Sequence, residues 1–271
     1  MTQLATANPA ISQSVRVLAL IVFVFLCFGS TLLVAPWIAV PRWAWTIPPF
    51  NARFLGAIYF SEGVAVLILL LCNRWSPARV GLLAAAAFTT VVSVATLFHV
   101  DQFVSTRRMV LWFVLYVGYV ALPIIALCIY WRLPRVQPLL VPAGWRWLFA
   151  ALGGLMIVYA IGLFLFPATA SAFWPWPIDA MHGRIYSGVF LGPGVALCMI
   201  ARDGAREEYW ITGSFAAAFG LSALVGLVAA DMATHRVNWS ALGTWVWIGY
   251  FAIYTALGAS ILWRAFAGRP R

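Results

Sequence analysis

Glu62 is the clearest chemical signal in the sequence, because it lies inside an apolar run that extends over residues 54–72. A charge in the membrane interior is costly, so an acidic residue there usually marks a pathway, a proton relay or a ligand site. In a second interpretation the protonated side chain has a structural role, donating to a backbone carbonyl freed by a kink at Pro193. The sequence leaves both roles open.

Two similar segments, "RWAWTIPPFNARFLGA" at 42–57 and "FWPWPIDAMHGRIYSG" at 173–188, each bring an arginine to the start of an apolar run. Arg53 and Arg184 could grip an anionic group, or they could anchor the helix end by reaching lipid phosphate. The paired tryptophans favour a position at the membrane interface. The candidate ligand-binding residues are Glu62, Arg53, Arg184, His182 and Asp179.

A second group of histidines and aspartates lies at the ends of the third and seventh apolar runs. If those helices converge, such side chains could bind zinc or perform acid–base catalysis. However, no HExxH or CxxC spacing is present, and solvated helix ends attract the same residue types. Haem would need histidines in mid-helix, where none lies, so we expect no cofactor. The candidate metal ligands are His99, Asp101, Asp231 and His235.

The elements that must position these residues are membrane-spanning helices. Hydrophobic residues make up 64% of the 271 residues and charged residues 9%, against about 25% charged in a soluble domain. Unbroken apolar runs of about 17–25 residues predict helices and lack the alternation of a β-barrel. The sequence therefore predicts an all-α integral membrane protein with eight transmembrane helices. The runs are 17–39, 54–72, 80–98, 109–131, 147–167, 185–201, 210–230 and 240–263.

All 17 basic residues are arginine, and the net charge is +10. Membrane topology accounts for such a charge, so we expect no nucleic-acid partner. Assigning the loops alternately to two sides places eleven arginines on the side of the termini and six on the other. The positive-inside rule then predicts a multi-pass protein of the cell (inner) membrane with both termini cytoplasmic.

An internal repeat relates the two halves of the chain. Residues 17–65 align with 148–196 at a constant shift of 131, and from residue 32 onward ten of 34 positions are identical. Since the repeat unit has four helices, the sequence predicts two parallel four-helix repeats about an axis along the membrane normal. The predicted divisions are a leader 1–16, a first repeat 17–132, a linker 133–146, a second repeat 147–264 and a tail 265–271.

Small residues recur at every fourth position in the second helix of each repeat. Such faces let helix backbones approach closely in lipid. We therefore expect the helices at 54–72 and 185–201 to pack directly on each other at the axis. The predicted packing residues are Ala57, Ser61, Gly188 and Gly192.

The tryptophan–proline–arginine loops and the segment "HVDQF" resemble uncharacterised bacterial multi-spanning membrane proteins with a tandem four-helix repeat. The resemblance implies no activity. Our leading hypothesis is a bundle that binds or transports a small solute or lipid headgroup, which enters from the outer face past the two arginines and reaches Glu62. The first alternative is an accessory or assembly subunit that packs against a membrane-protein partner or a second copy of itself. A membrane-embedded enzyme is the third hypothesis.

Overall fold

Eight long helices make up most of the chain. The computed structural model describes residues 8–267 apart from 131, 134 and 135, so the ends of the predicted leader and tail, 1–7 and 268–271, lie outside the described residues. Within the described part, eight helices are long and apolar enough to cross a membrane. The chain is thus a polytopic helical membrane protein. The helices are α1 Gln13–Val34, α2 Pro49–Cys72, α3 Trp75–Leu97, α4 Thr106–Tyr130, α5 Ala143–Leu165, α6 Ala180–Asp203, α7 Arg206–Thr234 and α8 Leu242–Ala267.

The helix boundaries follow prolines and caps more closely than they follow hydropathy. The predicted first run, 17–39, is wrong at its end, because α1 stops at Val34 and a separate short helix, Pro36–Ala39, follows. Proline has no N–H to continue the hydrogen-bond ladder of a preceding helix. The same break separates α5 from a short helix at Pro167–Ala170.

Early and late helices interleave in the bundle. In the centre, α2 packs along α7, α6 packs along α3, and α3 meets α7. The outer helices cover the central ones in pairs: α1 lies on α2, α4 on α3, α5 on α6 and α8 on α7. Sequence neighbours α2 and α3, by contrast, share little contact.

The predicted direct packing of α2 on α6 through their small residues is wrong. Gly188 and Gly192 of α6 face α3 instead: an added Cβ would lie 3.0 Å from the Phe88 ring at the first and 2.9 Å from the Ala84 carbonyl oxygen at the second. The glycines do permit a close approach of two helices, as expected, but the partner helix is α3.

On α2, the small residues face α7. The carbonyl oxygen of Ala57 accepts a hydrogen bond of 3.4 Å from the hydroxyl of Ser222 on α7, and the Ser61 hydroxyl also donates to that oxygen. Large rings lie between α2 and α6, where Phe54 and Tyr186 meet edge to face with centroids 4.8 Å apart. These rings hold the two backbones apart.

A buried ion cluster joins α3, α6 and α7 at the end of the bundle where α6 ends and α7 begins. The Arg79 guanidinium donates to Glu208 at 2.7 Å and to Asp203 at 3.2 Å. The Glu208 carboxylate also accepts from the backbone N–H of Ala205, at 2.8 Å, and so caps the start of α7. A buried charge is tolerated when it is paired and hydrogen-bonded in this way.

Candidate functional site

A cavity of about 180 Å³ lies inside the bundle, lined by α1, α2, α3, α4, α6, α7 and α8. Most of its wall is apolar, contributed by side chains such as Leu26, Ile58 and Phe88. An apolar cavity of about 150 Å³ is enough to bind benzene. The polar side chains on the wall are Glu62, Tyr59, Tyr116, Tyr119, Tyr254, Thr89 and Thr212.

Glu62 lines this cavity near the middle of the membrane. It lies thirteen residues after Pro49 and ten before Cys72, which corresponds to about 20 Å and about 15 Å along α2. Among the residues that the structure describes, none donates a hydrogen bond to its carboxylate or forms an ion pair with it. An ionised Glu62 would therefore lack the protein partner that a buried carboxylate normally has.

Two of the tyrosines close to Glu62 are hydrogen-bonded to each other. The hydroxyls of Tyr59 and Tyr116 share a hydrogen bond of 3.2 Å, and the Tyr116 ring stacks on Trp112 with centroids 4.2 Å apart. Our sequence reasoning did not select these residues. A tyrosine hydroxyl inside an apolar run is itself a polar signal, and it could have been used in the way that Glu62 was.

Two further polar groups belong to residues of the wall. Pro193 lies within α6 and has no N–H, so the carbonyl of Val189 cannot receive the usual helical hydrogen bond from that position. Both residues line the cavity. The hydroxyl of Thr212 on α7, also on the wall, is buried and has no hydrogen-bond partner within the described chain.

Asp179 and His182 lie outside the cavity, on the end of the bundle that carries the loops 35–48, 98–105, 166–179 and 235–241, here called the tryptophan face. The indole N–H of Trp45 donates to Nε2 of His182 at 3.1 Å. An indole can only donate, so the proton of the neutral imidazole is on Nδ1, which lies 2.5 Å from the Asp179 carboxylate.

This chain of hydrogen bonds fixes the start of α6. The Asp179 carboxylate also accepts from the backbone N–H of His182 at 2.9 Å and caps the helix. Burial raises the pKa of Asp179, but the hydrogen bonds that its carboxylate accepts from the ring and the backbone N–H of His182 outweigh this effect, so the pKa is below its usual value. His182 is 2% exposed and fully engaged, which indicates a structural role.

A second tryptophan contact joins the other loop to the other helix. The indole N–H of Trp176 donates to the side-chain oxygen of Asn51 on α2 at 2.8 Å. Asn51 is 1% exposed and was not among the predicted residues. It stands 131 residues before His182, as Trp45 does before Trp176, so comparing non-identical polar positions across the predicted repeat could have found it.

Arg53 and Arg184 cap helix ends. Arg53 donates to the carbonyl of Leu33 near the end of α1, and Arg184 donates to the carbonyl of Phe164 near the end of α5, at 3.3 Å. Helix C-termini carry unpaired carbonyls and favour cations. Neither arginine lines the cavity, so the structure does not bring them together with Glu62.

The four candidate metal ligands do not converge. His99 Nε2 accepts from Arg184 at 2.7 Å, and burial together with that guanidinium lowers the pKa of His99. The Asp231 carboxylate accepts from the N–H of Val237 and from the Trp239 indole, both at 2.9 Å. These two bonds hold the loop that begins at His235 against the end of α7. Asp101 is exposed. In the described part of the chain, no three His, Cys, Asp or Glu side chains are grouped to hold a metal ion.

Comparison with protein families, with curated proteins and with solved structures gives no match for this chain. The fold and the site therefore define its class: a polytopic helical membrane protein with a small, mostly apolar cavity that contains one carboxylate.

Proposed function

We propose that the protein binds a small, largely apolar molecule in the intramembrane cavity beside Glu62. The observation that carries this proposal is a carboxylate with no described protein partner on the wall of a cavity large enough for a small ligand. An accessory subunit would be expected to have a filled core, so the cavity favours ligand binding over that alternative. Transport of the bound molecule is an extension of the same proposal.

Entry from the bilayer is better supported than entry past Arg53 and Arg184. Helices α1 and α4 both line the cavity and are joined at one end, where the N–H of Ser12 donates to the Tyr130 hydroxyl at 3.2 Å. Along the rest of their length α1 packs on α2 and α4 packs on α3. The space between α1 and α4 therefore faces lipid, which is a natural route for an apolar ligand. Because the two arginines cap helix ends, their role in this proposal is structural.

The proposal includes two parallel four-helix repeats. At the shift of 131, Arg53 and Leu33 correspond to Arg184 and Phe164, and both arginines donate to the corresponding carbonyl. The contacts of Trp45 with His182 and of Trp176 with Asn51 are reciprocal under the same shift. Reciprocal contacts of this kind are what a two-fold relation produces. The packing of α2 on α7 and of α6 on α3 has the same form.

For localisation, we propose a bacterial inner membrane with the tryptophan face outside and both termini in the cytoplasm. In a variant whose four native cysteines are replaced by alanine, Asn238→Cys should react with a membrane-impermeant maleimide in intact cells. Gln137→Cys should react only after lysis. Both positions are exposed, so accessibility is matched. Labelling of Gln137→Cys alone in intact cells would reverse the orientation.

Filling the cavity should abolish binding of a neutral probe. Ala85 lines the cavity on α3, and phenylalanine at this position would take up much of the space. We expect ethylbenzene to raise the melting temperature of the wild-type protein in detergent and to have at least a tenfold lower affinity for Ala85→Phe. Micelles absorb the probe equally for both proteins, so the comparison isolates the cavity.

The control for this experiment is Ala151→Phe, on the exposed face of α5. It adds the same ring where lipid or detergent surrounds it and should bind ethylbenzene as the wild type does. Equal binding by all three proteins, or by none, would contradict the proposed cavity site.

A further inference from the structure

We infer that the ligand is a primary amine with a small apolar body, whose ammonium group binds Glu62. The inference rests on the proposed function, because it names the class of molecule that the cavity takes. It follows from the sign of the charge in the cavity, from the hydrogen-bond groups on its wall and from its size.

Glu62 is the charged side chain of the wall: no arginine, lysine or histidine is among the described lining residues. A carboxylate without a counter-charge in an apolar site is strongly disfavoured, and a cation at a few ångströms offsets that cost. A ligand carboxylate or phosphate would add a second negative charge, with no cation to receive it. The site therefore selects against anions, including the phosphate of a phospholipid.

The wall also provides hydrogen-bond acceptors suited to an ammonium group. Besides the Glu62 carboxylate, the carbonyl of Val189 is left without its usual helical donor by Pro193, and both residues are on the wall. An ammonium group carries three N–H donors and no acceptor. A wall offering acceptors to a donor-only group is complementary to it.

Aromatic rings add to this preference. Tyr59, Tyr116 and Tyr119 lie on the wall close enough to Glu62 to interact with it electrostatically. The face of an aromatic ring attracts a cation, by about 2 kcal/mol or more when both are desolvated. Neutral alcohols gain no comparable attraction.

The volume limits the apolar body. A cavity of about 180 Å³ is slightly larger than one that holds benzene. One aromatic ring with a two-carbon arm is of the right size, and 2-phenylethylamine therefore serves as the probe. Its neutral analogue is 2-phenylethanol and its anionic analogue is phenylacetate.

The test compares the affinities of these three compounds for the full-length protein at pH 7, measured by the shift in melting temperature with concentration. For the wild type we expect the amine to bind at least tenfold more tightly than the alcohol, and phenylacetate to bind more weakly than either. In Glu62→Gln, amine affinity should fall at least tenfold while alcohol affinity changes less than threefold. Glu207→Gln, a carboxylate outside the cavity wall, should keep the wild-type preference.

Equal affinities of amine and alcohol for the wild type would overturn the inference without the need for any variant, even if Glu62→Gln fails to fold. A preference for the amine that survives in folded Glu62→Gln would overturn it too. If the preference for the amine is absent but the alcohol and ethylbenzene bind the wild type and not Ala85→Phe, the proposed cavity site stands and only the amine inference fails. If no neutral probe distinguishes wild type from Ala85→Phe, the proposed function itself fails.

Discussion

Replacing Gly56 by alanine should greatly lower the yield of folded protein. Gly56 lies where α2 crosses α1, and an added Cβ would overlap the backbone nitrogen of Leu33 and lie 2.7 Å from the carbonyl carbon of Leu32. These are backbone atoms, which cannot move aside as a flexible side chain can. Overpacking a tight contact costs about 1–3 kcal/mol, and a clash between two backbones belongs at the upper end or beyond. The measurement is the monodisperse yield in detergent together with the melting temperature.

Gly118→Ala on α4 is the matched control, because no atom lies within 4 Å of the Cβ that would be added there. Alanine is favoured over glycine in a helix by about 1 kcal/mol, so this variant should be as stable as the wild type or more stable. If Gly56→Ala and Gly118→Ala melted at the same temperature, the close crossing of α1 and α2 would be wrong.

The second large effect is expected at His182. In His182→Leu the buried indole N–H of Trp45 loses its acceptor and the Asp179 carboxylate loses its side-chain donor. An unpaired buried group costs about 1–3 kcal/mol, so the melting temperature should fall by several degrees. His182→Asn should recover much of this loss, because an asparagine oxygen already accepts from the equivalent Trp176 at Asn51.

The reciprocal variant Asn51→Leu should destabilise the protein to a similar degree, because it leaves the Trp176 indole unpaired. If His182→Asn were no more stable than His182→Leu, the hydrogen bond from Trp45 would not be the source of the effect. Loss of ethylbenzene binding in folded His182→Asn would show that the tryptophan face contributes to the ligand site, contrary to our interpretation.

The helices could be predicted from the sequence because their length and hydropathy are local properties. Their partners could not, since small residues at Gly188 and Gly192 show that a helix approaches closely without showing which helix it approaches. The contact with Phe88 depends on the arrangement of all the central helices. The same limit explains why the α2–α6 contact was predicted wrongly.

The candidate site shows a similar division. Glu62 could be identified from the local sequence alone, because an acidic residue within an apolar run is rare. Arg53 and Arg184 were recognisable as a pair, but their capping role requires the carbonyls of Leu33 and Phe164, which no sequence pattern marks. The cavity could not be predicted, because it forms where the side chains of several helices do not fill the space between them.

The second half of the chain shows why the cavity lies where it does. Helices α7 and α8 are in close contact through Gly213, Gly220 and Gly258, where an added Cβ would meet backbone atoms of the facing helix within 3.0 Å. Helices α3 and α4, which correspond to this pair in the proposed repeat, make less contact with each other than α7 and α8 do. Looser packing of α4 on α3 therefore leaves space that tight packing removes in the other half.

The interleaved packing has a consequence for how the chain is made. Trp45 finds its acceptor 137 residues later, in His182, and α2 packs along α7, which is among the last helices synthesised. From the end of α4 at Tyr130 to the end of α7 at Thr234 the chain adds 104 residues, which takes about 5–21 s at about 5–20 residues per second. During this interval the first four helices are in the membrane without the surfaces that bury Phe54 and Trp45. Nascent chains that stop after α4 should therefore be substrates for membrane proteases, and completion of α7 marks the point at which the protein can escape them.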